Sequence, residues 1–255
     1  MKHLFPVCAV AVGLSACTYD PVDDGYQVVW EDDFDTLEST WWHAEDPGKV
    51  TAQDGVLRLV DDPAFGMTLT GSHGQRQATE PNYPDAVSFE EGYFEARIRY
   101  IHDPWAWPTF WLWPTAVHEA QPDDYCEQLT GEWDIMENGL GNADGTRPSY
   151  STTWNVVHKN TNSRCDVPDV TRHVMNQFPD IDLSDWHVWA GRWDGTQLCT
   201  FLEGVEIGCV EAYESMAQPM GITLSVNYHA VCGSCGAQPA QVWMEVDWVR
   251  VWQLP

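Results

Sequence analysis

The stretch Gly-Glu-Trp-Asp-Ile-Met-Glu-Asn (131–138) sets three carboxylates, Glu132, Asp134 and Glu137, on an otherwise apolar run. On a regular strand Glu132 and Asp134 share one face, while Trp133 and Ile135 point the other way. Glu137 then falls on the wrong face, because strand side chains alternate with a period of two. One extra residue resolves the conflict. A β-bulge at Ile135-Met136 returns Glu137 to the side of Glu132, and all three acids line one surface.

Acids in such a row can act as nucleophile and general acid/base. Four effective strand steps put the α-carbons of the two glutamates about 13 Å apart, and carboxyls leaning together approach to about 5–6 Å. Retaining glycosidases hold their two carboxyls about 5–5.5 Å apart and inverting ones about 6.5–9.5 Å, so the spacing favours retention. Asp134, between them, can share a proton or hydrogen bond with Glu132, and its charge helps keep a neighbour protonated near neutral pH. Two other readings compete, a solvated strand face and a calcium site, since carboxylate rows bind calcium. Against the first, Trp133, Ile135 and Met136 read as core, and neighbouring like charges on one face are destabilising.

A row of this kind needs a sheet to hold it. Strand patterns recur at short intervals, punctuated by Gly, Pro, Asp and Asn, over 27–30, 56–60, 92–101, 109–113, 132–137, 151–157, 187–193, 197–203, 205–210, 221–228 and 241–252. In 92–101, Phe94, Ala96, Ile98 and Tyr100 alternate with Tyr93, Glu95, Arg97 and Arg99, giving one apolar and one polar face. A short helix is expected over 171–178. Many antiparallel strands in one unbroken domain predict an all-β, two-sheet antiparallel jelly-roll sandwich.

Composition agrees with a packed domain: 44% of the 255 residues are hydrophobic and 20% charged. The formal net charge of −27, from 12 basic and 39 acidic residues, disfavours nucleic acid and anionic lipid surfaces as partners. Fifteen Trp exceed ordinary usage, which suits stacking on flat apolar faces. Trp105, Trp107, Trp111 and Trp113 share parity, with Phe110 and Leu112 opposed, so part of this row can form sugar subsites and part can be core.

Lys2 precedes an apolar run over 4–16, interrupted by Pro6, which is too short to span a membrane and has the shape of an export signal. It ends in Leu14-Ser15-Ala16-Cys17, which resembles the lipobox of bacterial lipoproteins and so implies cleavage before Cys17 and its acylation. The alternative is a simple secretory signal with Cys17 an incidental thiol. In an oxidising compartment Cys126, Cys165, Cys199, Cys209, Cys232 and Cys235 form an even, disulfide-ready set. Cys199 and Cys209 flank a hairpin pattern turning near Gly204, and Cys126 with Cys165 would brace two loops flanking the acid row. Cys232 and Cys235 can close on each other; a zinc site would need a second ligand pair, and none is evident.

GEWDIMEN resembles the active-site signature of family 16 glycoside hydrolases, in the laminarinase-like branch with a bulged strand and the pattern Glu-x-Asp-x-x-Glu. VVWEDDFD (28–35), EEGYFEARIRY (90–100), WPTFWLWP (107–114), DWHVWAGRWDGTQLCTFLEGVEIG (185–208) and MEVDWVRVWQ (244–253) are similar to further family blocks, in the same order. The resemblance implies a concanavalin A-like jelly roll with an open concave cleft, Glu132 as nucleophile, Asp134 as its assistant and Glu137 as acid/base. It also makes Trp111, Trp107, Arg76, His158 and Asn227 substrate-binding candidates, and Asp33 and Asp247 ligands of a structural calcium. After Asn227 the family's small-residue stretch is replaced by His229 and Cys-Gly-Ser-Cys, a departure that bears on substrate choice.

The expectations are therefore an export signal over 1–17, a short tether over 18–26 and a catalytic domain over 27–255. The domain is read as a monomeric, retaining endo-β-glycanase that needs no cofactor and acts on a neutral polysaccharide, β-1,3- or mixed-linkage glucan first. An agarase-like galactan hydrolase, a cell-wall transglycosylase and a non-catalytic lectin-like module are the alternatives. The protein is expected to be exported and anchored to the cell envelope through Cys17, or else secreted.

Overall fold

A computed structural model describes residues 18–37, 42–44, 48–62, 68–71, 87–114, 131–138, 152–159, 170–177, 181–213, 216–228, 237 and 239–255. The strands, numbered in chain order, form two antiparallel sheets. The first runs from β13 (Val205–Glu211) through β12 (Gln197–Leu202), β11 (His187–Trp193) and β6 (Gly92–Tyr100) to β15 (Val242–Gln253). It continues into β4 (Val56–Asp61) and β3 (Val50–Gln53), and β1 (Gln27–Asp32) pairs with the far half of β15. The second sheet runs from β10 (Val170–Gln177) through β9 (Thr152–Lys159), β8 (Gly131–Asn138) and β7 (Ala106–Pro114). It ends with β14 (Met220–Tyr228), β5 (Thr68–Gly71) and β2 (His43–Ala44). The two sheets stack face to face, and among the described residues there is no α-helix. This is the expected jelly-roll sandwich.

Alternation decides which way each strand faces. On β6, Phe94, Ala96, Ile98 and Tyr100 are buried in the inter-sheet core, while Arg97 and Arg99 face outward. Phe94 meets Trp133 of the other sheet edge-on, with ring centroids 6.4 Å apart. A Cβ on Gly191 of β11 would lie 2.7 Å from Cζ2 of Trp133 and 2.9 Å from Cγ1 of Ile135, so only glycine lets β8 approach this closely. Two-residue turns close the β3–β4 hairpin at Asp54-Gly55 and the β12–β13 hairpin at Glu203-Gly204, each pair with positive φ as a type I′ turn requires. Cys199 and Cys209 stand directly opposite across the second hairpin and are bonded to each other.

The outer face of the first sheet interleaves arginine, tryptophan and carboxylate. Arg58 and Arg99 both bind Glu245, and Arg97 binds Asp247. Arg58 lies over Trp243, Arg97 and Arg99 over Trp186, and Arg250 over Trp248, within 4.2–5.2 Å of the ring centroids.

Two expectations change. The segment read as a helix over 171–178 is strand β10, paired with β9 from Val170 opposite Lys159 to Gln177 opposite Thr152. Cross-strand pairing at the sheet edge outweighs the local helical preference of this stretch. Within 18–26, read as a tether, Tyr19, Pro21 and Tyr26 are buried or half-buried while the rest is exposed, and Tyr19 donates its N–H to the Gly204 carbonyl at 2.7 Å and stacks on Phe201 at 5.0 Å. Tyr19 and Tyr26 join Tyr93, Ala190, Cys199 and Phe201 in a second, smaller apolar cluster. Of the tryptophan row, for which core and subsite were both open, Trp105 belongs to the core: it sits in the turn before β7 and stacks on Tyr228, centroids 5.8 Å apart.

Candidate active site

Strand β8 lies between β7 and β9, and its register slips by one residue against both neighbours at the same place. Against β9, Asp134 faces Val156 and Glu137 faces Trp154, so three steps of β8 match two of β9. Against β7, Asp134 faces Trp111 and Met136 faces Phe110, so Ile135 is the residue without a partner position. This is the bulge that the spacing of the acids demands. Trp133, Ile135 and Met136 are all fully buried in the inter-sheet core. Asp134 and Glu137 therefore take the opposite, outer face of the second sheet, in line with Glu132. Beyond the bulge the strand resumes its alternation, and Asn138 turns inward to donate its Nδ2–H to the Tyr100 hydroxyl at 2.8 Å.

The acids differ in burial. Glu132 is half-buried, whereas Asp134 is 2% and Glu137 7% exposed. Burial pushes the Asp134 carboxyl well above the usual carboxylate range, and the charges of Glu137 and then Glu132 push the same way. Burial also pushes Glu137 up to about 7, against the lowering effect of a hydrogen bond from Trp107. That bond runs from the indole Nε1 to Oε1 of Glu137 at 3.0 Å. Oε2 of Glu137 is buried and has no hydrogen-bond partner among the described residues. A carboxyl that holds its proton to neutral pH, next to others in one row, is equipped to protonate a leaving group.

Strand β7 lines the row with aromatic rings. Thr109 stands opposite Glu137 and Trp111 opposite Asp134, while Phe110 and Leu112 point into the core. Trp111 is half-buried, donates its Nε1–H to Ser225 Oγ at 3.2 Å, and meets Trp113 edge-on at 5.8 Å. On β14, Asn227 stands opposite Trp107, Ser225 opposite Thr109 and Thr223 opposite Trp111, which extends the same face by another strand. Asn227 is half-buried, with Oδ1 lacking a hydrogen-bond partner among the described residues. On β9, His158 is the register partner of Glu132. Arg76, Cys17 and the cysteines at 126, 165, 232 and 235 lie outside the described residues. Thr109, Thr223 and Ser225 were not singled out from the sequence, although each follows from extending the parity of Trp107 and Asn227 along their strands.

Asp33 and Asp247 do not fit a calcium ion. A bulge in β15 gives Asp247 its position, and its carboxylate is bound by Arg97 at 2.5 Å. Asp33 has Arg250 at 4.0 Å and an exposed side chain. Calcium takes six to eight oxygens at about 2.3–2.6 Å, and here guanidiniums already face both carboxylates. Among the described residues the one cluster with metal-ligand geometry is Cys199, Glu206 and Cys209, whose two sulfurs are joined to each other.

No protein-family model matches the sequence, and no curated protein matches it. Solved structures match its fold. A family 16 glycoside hydrolase of Bacteroides ovatus, from a mixed-linkage glucan system and in complex with a product, is 17% identical, with a TM-score of 0.67 over 88% of this chain and 100% of its own. The laminarinase catalytic domain of Thermotoga maritima is 15% identical, with a TM-score of 0.66 over 89% and 98%. Porphyranase B of Zobellia galactanivorans is 16% identical, with a TM-score of 0.67 over 89% and 92%. At such identities the likeness establishes a shared fold, that of the laminarinase-like family 16 sandwich.

Proposed function

We propose that this chain is a retaining endo-β-glycanase that hydrolyses a neutral polysaccharide, with β-1,3- or mixed-linkage glucan as its substrate. The observation that carries the reading is the bulge in β8, which sets Glu132, Asp134 and Glu137 on one face with Glu137 able to stay protonated to about pH 7. Glu137 protonates the departing glycosidic oxygen as Glu132 attacks the anomeric carbon and forms a glycosyl ester. Glu137, now ionised, takes a proton from water, and the hydroxide equivalent releases the sugar with retained configuration. Burial lifts the Asp134 carboxyl well above the usual carboxylate range, which suits it to share a proton with its neighbour in the row. The half-buried indole of Trp111 on the same face suits stacking on a sugar ring, with the buried Trp113 edge-on beside it.

Fold likeness to a mixed-linkage glucan hydrolase and a laminarinase supports a glucan, and the equal likeness to a porphyranase keeps a galactan as the second reading. Charge favours the neutral polymer. The net charge of −27 repels a polyanionic chain. The reaction as proposed draws on no cofactor. We further propose a monomer, exported and held at the envelope by acylated Cys17, on the strength of the lipobox-like run alone.

The test is a reducing-end assay over laminarin, lichenan, agarose, carrageenan and xyloglucan with the unaltered protein, Glu132→Gln and Glu137→Gln. Cleavage of laminarin or lichenan is expected, abolished by Glu132→Gln, with Glu137→Gln active only on substrates carrying good leaving groups. Tight glycan binding with no reducing ends released would establish the lectin-like alternative instead.

A further inference from the structure

We propose that Trp107 is a positioning residue for the acid/base carboxyl: its indole N–H fixes Oε1 of Glu137 as an acceptor and leaves Oε2 as the oxygen that carries the proton. The inference rests on the acid/base role given to Glu137 above.

Sequence parity makes Trp107 one of several indoles in a row, equivalent to Trp111 as a sugar platform. Their hydrogen bonds separate them. Trp111 spends its N–H on Ser225 Oγ, a neutral hydroxyl of the next strand. Trp107 spends its N–H on Glu137 Oε1 at 3.0 Å, inside a site where Glu137 is 7% exposed. An indole nitrogen donates and never accepts, so the oxygen it touches is an acceptor in both protonation states, a place that the carbonyl oxygen of a neutral carboxyl fills better than its hydroxyl. The proton of the neutral carboxyl is thereby assigned to Oε2, which has no hydrogen-bond partner among the described residues. After the first chemical step, the same N–H stabilises the carboxylate that must serve as base. One donor thus keeps the group oriented through both halves of a double displacement.

The bulge is what makes this contact available. Thr109 pairs with Glu137, and Trp107 lies two positions further along β7 on the same face. Without the extra residue in β8, Glu137 would face the core and the indole would have no carboxyl to reach.

Trp107→Phe keeps an aromatic ring on this face, smaller than the indole, and removes the donor, so KM reports the lost ring area and the titration of Glu137 reports the lost N–H. On the cleaved polymer, kcat is expected to fall roughly 10- to 100-fold with KM within about twofold, the scale of a disturbed general acid. The basic limb of kcat/KM should move to higher pH, because the hydrogen bond that lowers the Glu137 acidity constant is gone. Glycosylation by an aryl glycoside with a good leaving group should stay near the unaltered rate. Carboxyl-labelled NMR titration of Glu137 in the same variant reads the shift directly and does not depend on turnover. An unmoved titration, or a raised KM with unchanged kcat, would mean that Trp107 is a sugar platform, and the inference would fail. If Glu137→Gln also kept full polymer activity, the acid/base reading itself would fall; with that variant inactive and Trp107→Phe silent, only the present inference falls.

Discussion

Glu137 occupies a position that weakens the folded state in order to be useful. Its carboxyl is raised from the ordinary 4.5 to about 7, chiefly by burial. Below about pH 4.5 the group is protonated whether the chain is folded or not, and its burial carries no ionisation penalty. Between there and about pH 7 the unfolded glutamate ionises while the folded one does not, so the folded state binds more protons and stability falls as pH rises. The loss amounts to about 3 kcal/mol by pH 8. Glu137→Gln should remove most of that slope: equal to the unaltered protein in urea denaturation at pH 4, and more stable by up to about 3 kcal/mol at pH 8. Parallel pH slopes for the two proteins would contradict this account. At this scale the sequence was partly readable. The wrong parity of Glu137 announced the bulge, because a charged side chain cannot be left in a core. The hydrogen bond from Trp107 was not readable, since it joins residues 30 positions apart whose strand registers are set by pairing.

At the scale of elements, β8 is held from behind. Trp133 and Ile135 press on the bare backbone of Gly191, and these two residues flank Asp134 in sequence. Gly191→Ala puts a methyl group into that contact, and overpacking of this kind costs about 1–3 kcal/mol. Because the displaced side chains flank the acids, kcat should drop well before unfolding begins. Measuring denaturation and turnover at one temperature separates the two effects, and a variant with native stability and full activity would show the contact to be slack. Strand β6, with its strict alternation, declared itself in the sequence, and long β15 did so through its length in spite of its bulge. Short β2 and β5 did not, having too few residues for a period to emerge. Strand β3 had a signal in the Asp54-Gly55 turn that follows it. Strand β10 was misread because it is an edge strand, paired only with β9, and that pairing is invisible to any local pattern.

Across the whole molecule, 39 acidic residues face only 12 basic ones. A net charge of −27 opposes compaction through self-repulsion, and salt screens that repulsion. The melting temperature should therefore rise between ~10 mM and ~0.5 M NaCl. A fall would indicate instead that the Arg–Glu–Trp lattice on the first sheet, itself weakened by salt, dominates stability. The segment over 18–26 has a last implication of its own. Tyr19 is clamped to the β12–β13 turn on the back of the sandwich, so an acyl anchor of the kind proposed for Cys17, two positions earlier, would leave little slack between attachment point and body. The acids open on the opposite side. A protein mounted in that way presents its working surface outward like a fixed blade, and a long glycan can lie across it without meeting the support.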